Sequence, residues 1–97
     1  MSLEDFTNTL NNTEPPAHFS ALQQGLWYAA KGDWDTAHNI AQEHEGSKDF
    51  DHLHAHLHRV EGDDWNAGYW YRRAGVPIPT KPVTEELKDL IHLWNRQ

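Results

Sequence analysis

The chain has 97 residues and a mass of 11.3 kDa, which fits one domain and leaves no room for two separate cores. Its formal charge of −7 argues against a general binder of nucleic-acid backbones and against an anionic membrane surface. The lack of cysteine excludes disulfides, thiolate metal ligands and cysteine nucleophiles. No apolar run approaches the ~20 residues of a membrane span. Because the N-terminus is acidic and polar, the expected location is the cytoplasm.

Apolar spacing and capping residues predict a single all-α domain over residues 1–97, without strands. The first part, residues 1–16, is an N-terminal arm. In it, Leu3, Phe6 and Leu10 recur at helical spacing and Ser2 is a suitable N-cap, which predicts a short helix. The two prolines at residues 15 and 16 end this segment.

Residues 18–75 are predicted to form two helical hairpins. The first joins a helix from Ser20 to Lys31 to a second helix from Trp34 to about His44. Gly32-Asp33 forms the turn between them, because glycine suits the position after a helix and aspartate caps the next one.

The second hairpin begins after a break at residues 45–47, with Ser47 or Asp49 as the cap of its first helix. That helix carries an amphipathic stripe with one residue per turn, formed by Phe50, Leu53, Leu57 and Val60. Its second helix runs from Trp65 to Ala74, and the predicted core-facing residues there are Trp65, Tyr69 and Arg72.

A connector over residues 76–83 contains three prolines and is predicted to be extended. Residues 84–96 then form a C-terminal helix, with Thr84 as its cap and Arg96 near its end. Its buried seam consists of Leu87, Leu90, Ile91 and Trp94.

The two hairpins also resemble each other in sequence at an offset of 31 residues, which aligns Trp34 with Trp65 and Asp33 with Asp64. Leu22 and Leu26 then align with Leu53 and Leu57. Stacked hairpins of this kind are similar to tetratricopeptide-type or Sel1-type packing. A compact helical bundle describes the pattern equally well.

Polar stripes border the apolar face of three predicted helices. At about 100° per residue, His54, His58 and Glu61 share one side of the first helix of the second hairpin, while His52, His56 and Arg59 point towards solvent. The residues expected to line one shared cleft for a ligand are Asp35, His38, Gln42, His54, His58, Glu61, Asn66, Trp70 and Arg73.

Three interpretations of this cleft are open. Two histidines four residues apart can bind Zn²⁺, so His54 and His58 form a candidate metal site that either His38 or Glu61 completes. Alternatively, Arg73 pairs with a small anionic or sugar-like ligand on which Trp70 stacks. In the third interpretation, the same side chains only satisfy one another at helix interfaces.

The stretch from Trp34 to Gly75 resembles an uncharacterised family of bacterial proteins. The residues that carry the resemblance include Trp34-Asp35, His38, His54-Ala55, His58-Arg59, Glu61 and the phrase Asn-Ala-Gly-Tyr-Trp-Tyr-Arg-Arg-Ala-Gly at 66–75. The family has no established activity, so the resemblance implies no function. It does cover largely the same residues as the predicted polar stripes.

The sequence thus favours a small helical binding or interaction domain with a cleft for a polar or anionic ligand. The HExxH signature, a phosphate-binding glycine loop and a Gly-x-Ser-x-Gly elbow are all missing from the sequence. An alternative is a small hydrolase or isomerase that uses histidine, with or without zinc. A third is an interaction module, with Leu90, Leu93 and Trp94 forming a homodimer seam.

Overall fold

The computed structural model describes residues 2–94 and is all-helical, with no strand among these residues. The prediction of an all-α fold is therefore confirmed. In chain order the helices are α1 (Leu3–Thr9), α2 (Ala21–Ala30), α3 (Trp34–Glu43), α4 (Lys48–Val60), α5 (Asp64–Ala74) and α6 (Val83–Trp94). No helix in this part of the chain has both the length and the apolar character that crossing a membrane requires.

Helix capping explains where the first two helices begin. The hydroxyl of Ser2 accepts from the backbone N–H of Asp5, and the Asp5 carboxylate accepts from the N–H of Ser2. Ser20 and Gln23 form the same reciprocal pair at the start of α2. Such pairs satisfy two donors that a helix start otherwise leaves without partners, so the predicted arm does contain a helix.

The last helix begins earlier than predicted. The carbonyl of Pro82 accepts from the N–H groups of Glu85 and Glu86, which makes Val83 the first helical residue and places Thr84 inside the helix. Proline is well suited to this position because it has no N–H that needs a partner. The predicted end of the helix near Arg96 lies outside the described residues.

The turns inside the two hairpins have the same geometry, but at an offset of 30 residues instead of the predicted 31. Gly32 and Gly62 both have φ of 83°, and Asp33 and Asp63 follow them as N-caps. Because a positive φ favours glycine, these two glycines are the equivalent residues by which the two hairpin sequences are aligned. Trp34 and Trp65 are therefore not equivalent residues.

Neighbouring helices pack in pairs, α2 with α3 and α4 with α5, and α3 joins the pairs by packing on α4. Helix α6 covers α2 and α4 on another side, and α1 packs on α6. The main core lies between these layers. Its fully buried large side chains include Phe6, Leu26, Trp27, Leu53, Leu57 and Trp94.

The buried face of α5 differs from the predicted one. Trp65 is 75% exposed, and Tyr69 and Arg72 are also exposed. The residues buried instead are Ala67, Gly68, Tyr71 and Ala74. Ala67 and Tyr71 pack with Ala55 of α4 in a small apolar cluster, whereas the Trp65 and Tyr69 rings remain on the outer surface. Val60 at the end of the predicted stripe on α4 is exposed as well.

The predicted homodimer seam lies mostly inside the chain itself. Leu90 and Trp94 are buried in the core, whereas Leu93 is 51% exposed. Leu93 is thus the only one of the three side chains with a large surface available to a partner.

Close packing between α2 and α4 gives a stability prediction. A Cβ atom added at Gly25 would lie 2.8 Å from Leu53 Cδ2, whereas one added at Gly68 would have nothing closer than 3.5 Å. We expect Gly25→Ala to lower the free energy of unfolding by about 1–3 kcal/mol. Gly68→Ala is the matched control and should raise it by about 0.5–1 kcal/mol. Urea unfolding of both variants tests this, and equal effects would contradict it.

Candidate metal centre

Three histidines from two helices meet at the interface between the hairpins. His38 lies on α3, and His54 and His58 lie one turn apart on α4. The centroid of the His38 ring is 4.5 Å from that of His54 and 5.4 Å from that of His58, and the His54 and His58 rings are 4.9 Å apart. The structure therefore brings together the three residues predicted as metal ligands.

Two tryptophan rings enclose this cluster. Trp34 stacks on His38 with ring centroids 4.6 Å apart, and Trp70 stacks on His54 at 3.9 Å. The Trp34 indole is itself held in place, because its Nε1 donates to the carbonyl of Leu57 at 2.7 Å. The imidazoles consequently lie between apolar walls contributed by α3 and α5.

His54 is the most deeply buried member of the cluster. It is 3% exposed, and its Nδ1 has no hydrogen-bond partner among residues 2–94. Burial, followed by the nearby rings of His38 and His58, lowers the pKa of His54 to about 4. An unpartnered buried nitrogen is unfavourable by about 1–3 kcal/mol, so this atom calls for an explanation.

The other two histidines differ in their partners. His58 Nδ1 lies 2.7 Å from the carboxylate of Glu61, in the turn that follows α4. His38 is half-buried, and burial together with the nearby His58 lowers its pKa. Neutral imidazole is the form that binds metal ions, and a carboxylate on the second ring nitrogen is the usual partner of a metal-bound histidine.

The spacing of the donor atoms suits a single ion. One ring nitrogen from each of His38, His54 and His58 can be chosen so that all three lie within 4.8 Å of one another. Nitrogens bound tetrahedrally to zinc at ~2.0–2.1 Å are about 3.3 Å apart, so the rings would need to approach by roughly 1.5 Å or less.

A second group of donors adjoins the first. His58, Glu61 and Asp63 also place one donor atom each within 4.8 Å of the others. Asp63 caps α5, and its carboxylate accepts from the side-chain amide of Asn66 at 2.6 Å. That hydrogen bond lowers the pKa of Asp63, so its carboxylate stays ionised beside the cluster. Asn66 thus contributes to this region through Asp63.

The remaining predicted cleft residues lie further out. Asp35 and Gln42 are exposed on α3, although Asp35 is close enough to His38 to favour its protonated form. Arg73 lies over the Trp70 ring, 5.0 Å from its centroid, and pairs with Glu45 at 3.2 Å. The guanidinium that was expected to bind an anion therefore already has a carboxylate partner.

A second buried polar cluster lies on the other side of α4, where the sequence predicted solvent. Glu86 is 4% exposed, and its carboxylate accepts from His56 Nδ1 at 2.6 Å and from Arg59 at 3.2 Å. The Tyr71 hydroxyl donates to its other oxygen. The prediction that His52, His56 and Arg59 face solvent was therefore wrong, because α6 covers this side of α4.

Sequence reasoning missed Trp34 and Glu86 as members of these clusters. Trp34 had a usable signal, because it precedes His38 by four residues on one helix and so shares its face. Glu86 had none, since an acidic residue in the first turn of a helix is ordinary.

Comparisons of the chain with protein-family models, with curated proteins and with solved structures give no match. The resemblance to the bacterial family, and the similarity of the hairpins to tetratricopeptide-type or Sel1-type packing, stay predictions. What the fold and this site define is an all-helical protein with a cluster of three histidines, of which two are buried and one is half-buried.

Proposed function

We propose that the protein binds a transition-metal ion, Zn²⁺ in the first instance, through His38, His54 and His58. The observation that carries the proposal is the unpartnered Nδ1 of His54, buried inside a group of three converging imidazoles. A bound ion would give this nitrogen the partner that it lacks.

The protonation state of the rings supports metal binding. Burial lowers the pKa of His38 and, to about 4, that of His54, so both rings are neutral at physiological pH. A ligand histidine normally has to lose a proton before it binds a metal ion. Here the folded chain has already displaced those protons, which removes a competitor of the ion.

Glu61 supports the proposal from outside the cluster. Its hydrogen bond fixes Nδ1 of His58, and Nε2 is then the nitrogen of that ring that can face an ion. Partners of this kind orient a ligand ring and raise its basicity. The overall charge of −7 also favours a cation.

The donor set indicates which ions fit. Imidazole suits Zn²⁺, Cu²⁺ and Ni²⁺, whereas Mg²⁺ and Ca²⁺ prefer oxygen ligands. Three protein ligands leave a fourth tetrahedral position for water. An anionic or sugar-like ligand has less support, because the Arg73 side chain is paired with Glu45.

Measurement of zinc binding tests the proposal. The chain should be prepared without a histidine tag, stripped with EDTA and titrated with Zn²⁺ against a chromophoric chelator. We expect one ion per chain, and a loss of at least tenfold in affinity in His38→Gln, since a ligand is removed.

The matched control is His92→Gln, which removes an exposed histidine from α6. It should bind zinc like the wild type. Absence of zinc binding by the wild type, or equal affinities of the wild type and His38→Gln, would contradict the proposal.

A further inference from the structure

A cavity of about 230 Å³ lies between the proline-containing connector and α6, away from the three-histidine cluster. Its walls are mostly hydrocarbon and come from Val76, Pro77, Pro79, Leu90 and Leu93. The prolines contribute carbon atoms without a backbone N–H, so this side of the cavity offers no backbone donors. Ligand sites in proteins generally combine such apolar walls with a few polar groups.

Two of the polar groups that line this cavity lie close to each other. Both Glu86 and His52 line it, and Glu86 Oε2 lies 3.9 Å from His52 Nε2. This distance is too long for a direct hydrogen bond. A nitrogen or oxygen atom placed between them could lie at hydrogen-bond distance from both.

The Glu86 carboxylate has capacity left for such an atom. Oε1 accepts from both His56 and Arg59, whereas Oε2 accepts from the Tyr71 hydroxyl. A carboxylate oxygen has two lone pairs, so Oε2 can accept one more hydrogen bond. Because an ionised carboxylate only accepts, the ligand atom has to be a donor.

We propose that this cavity binds a small protonated primary amine with a hydrocarbon body, whose ammonium group lies between Glu86 and His52. An ammonium group supplies three donors and a charge opposite to that of Glu86. The Lys81 ammonium at the cavity edge is bound to Asp89 and does not occupy this position. An anionic carboxylate ligand has no hydrogen that it could donate to Glu86 Oε2.

The size of the cavity limits the ligand. Drug-sized ligands fill pockets of ~300–1,000 Å³, so this cavity takes a smaller molecule. Cyclohexylamine is a suitable probe, since it combines one ammonium group with a compact apolar ring. Cyclohexanol and cyclohexanecarboxylate have the same ring and a neutral or anionic group, so they serve as comparators.

Titration of the full chain followed by ¹H–¹⁵N correlation spectra at pH 7 tests the proposal. EDTA in all samples keeps metal binding out of the measurement. We expect saturable shifts of the Val76 and Leu90 amide signals with cyclohexylamine, at least tenfold weaker binding of cyclohexanol, and none of the carboxylate. Absence of saturable shifts, or equal affinities for amine and alcohol, would overturn the proposal.

Variants separate the cavity from non-specific binding. Leu93→Trp places a large ring at the exposed edge of the cavity and should abolish the shifts. The control His92→Trp adds the same ring one residue earlier, at an exposed position outside the cavity lining, and should bind like the wild type. Binding by Leu93→Trp, or its loss in His92→Trp, would overturn the proposal.

Glu86→Gln tests the role of the charge. It keeps the shape of the side chain, and the preference for amine over alcohol should fall below threefold. An unchanged preference in this variant would overturn the proposal. If Glu86→Gln does not fold, the comparison of Leu93→Trp with His92→Trp still tests the proposal, because both of these variants keep the buried carboxylate.

Discussion

Replacement of Glu86 by leucine is expected to lower the free energy of unfolding by about 3–5 kcal/mol, because it breaks a buried ionic group from one side. The Arg59 guanidinium, the His56 ring and the Tyr71 hydroxyl would all lose the carboxylate that accepts from them. Whole domains are stable by only about 5–15 kcal/mol, so this single change removes a large part of the stability.

The pKa values of the same groups indicate how strongly they interact. Burial by itself would raise the pKa of Glu86, yet hydrogen bonds from His56 and Tyr71 hold it below its usual value. Burial and then the hydrogen bond to Glu86 raise the pKa of Tyr71, so its hydroxyl remains a donor. The carboxylate is therefore ionised and tied to α4 and α5, which makes it the link between α6 and the second hairpin.

Urea unfolding of Glu86→Leu measures the effect, with Glu85→Leu as the matched control. Glu85 is exposed on the same turn of α6, and its replacement should change the stability by no more than about 0.5 kcal/mol. A double-mutant cycle sharpens the test. Tyr71→Phe should destabilise the wild type by about 1.5–3 kcal/mol and have a much smaller effect in Glu86→Leu. A loss below 1 kcal/mol in Glu86→Leu would contradict this assignment.

Local features of the sequence were sufficient to predict the helices. Ser2 and Asp33 were recognised as N-caps, and each caps the predicted helix. The second helix of the second hairpin was predicted to end at Ala74, and Gly75, which follows it, has the left-handed conformation that closes α5. These features depend on residues only a few positions apart, which is why one sequence suffices to find them.

What lies against each face of a helix depends on how the helices pack together, and a local sequence pattern does not show this. His56 and His58 were assigned to opposite sides of α4, correctly, but both sides turn out to be covered. Helical spacing gives the angle between two side chains and not the element that lies against them. To predict that the second side of α4 is covered, one has to know where α6 lies after the connector. Glu86 could be found only from that knowledge.

Helical spacing also placed the three histidines of the metal centre on facing stripes, and the structure brings them together. The wider cleft could not be judged from the sequence. Trp34 and Trp70 fill the space beside the imidazoles, and the reach of the exposed Arg73 side chain towards Glu45 depends on the loop that follows α3. Tertiary contacts therefore determine how far the site extends, whereas helical periodicity is enough to identify its central residues.

Zinc binding is expected to stabilise the folded chain strongly. At a free zinc concentration a thousandfold above Kd, the free energy of unfolding should rise by about 4 kcal/mol. For a domain of this size each kcal/mol shifts Tm by about 4–8 °C, so Tm should increase by roughly 15–30 °C. Thermal unfolding followed by circular dichroism measures this shift, and Mg²⁺ at the same concentration should leave Tm unchanged because it prefers oxygen ligands.

The contribution of Glu61 can be separated from that of the ligands. Glu61→Gln removes the carboxylate from His58 Nδ1 and should weaken zinc binding by about 10–100-fold. Glu43→Gln, an exposed position at the end of α3, is the control and should not change the affinity. Equal zinc affinity in Glu61→Gln and Glu43→Gln would show that Glu61 does not orient His58.

The lowered pKa values of His38 and His54 determine how pH affects zinc binding and the stability of the metal-free protein. In the folded chain, protons compete with zinc for His38 only below its lowered pKa, and for His54 only as the pH nears about 4. In the unfolded chain both rings take up protons near pH 6.5, so below that value the unfolded state binds more protons and the metal-free protein loses stability. We therefore expect the metal-free protein to be most stable above pH 6.5, where both rings are neutral, and to lose about 3 kcal/mol from His54 alone as the pH falls to about 4. Urea unfolding of the EDTA-treated protein between pH 7.5 and pH 4 measures this loss, and a stability that rises on acidification would mean that the His38 and His54 rings are not held in their neutral form.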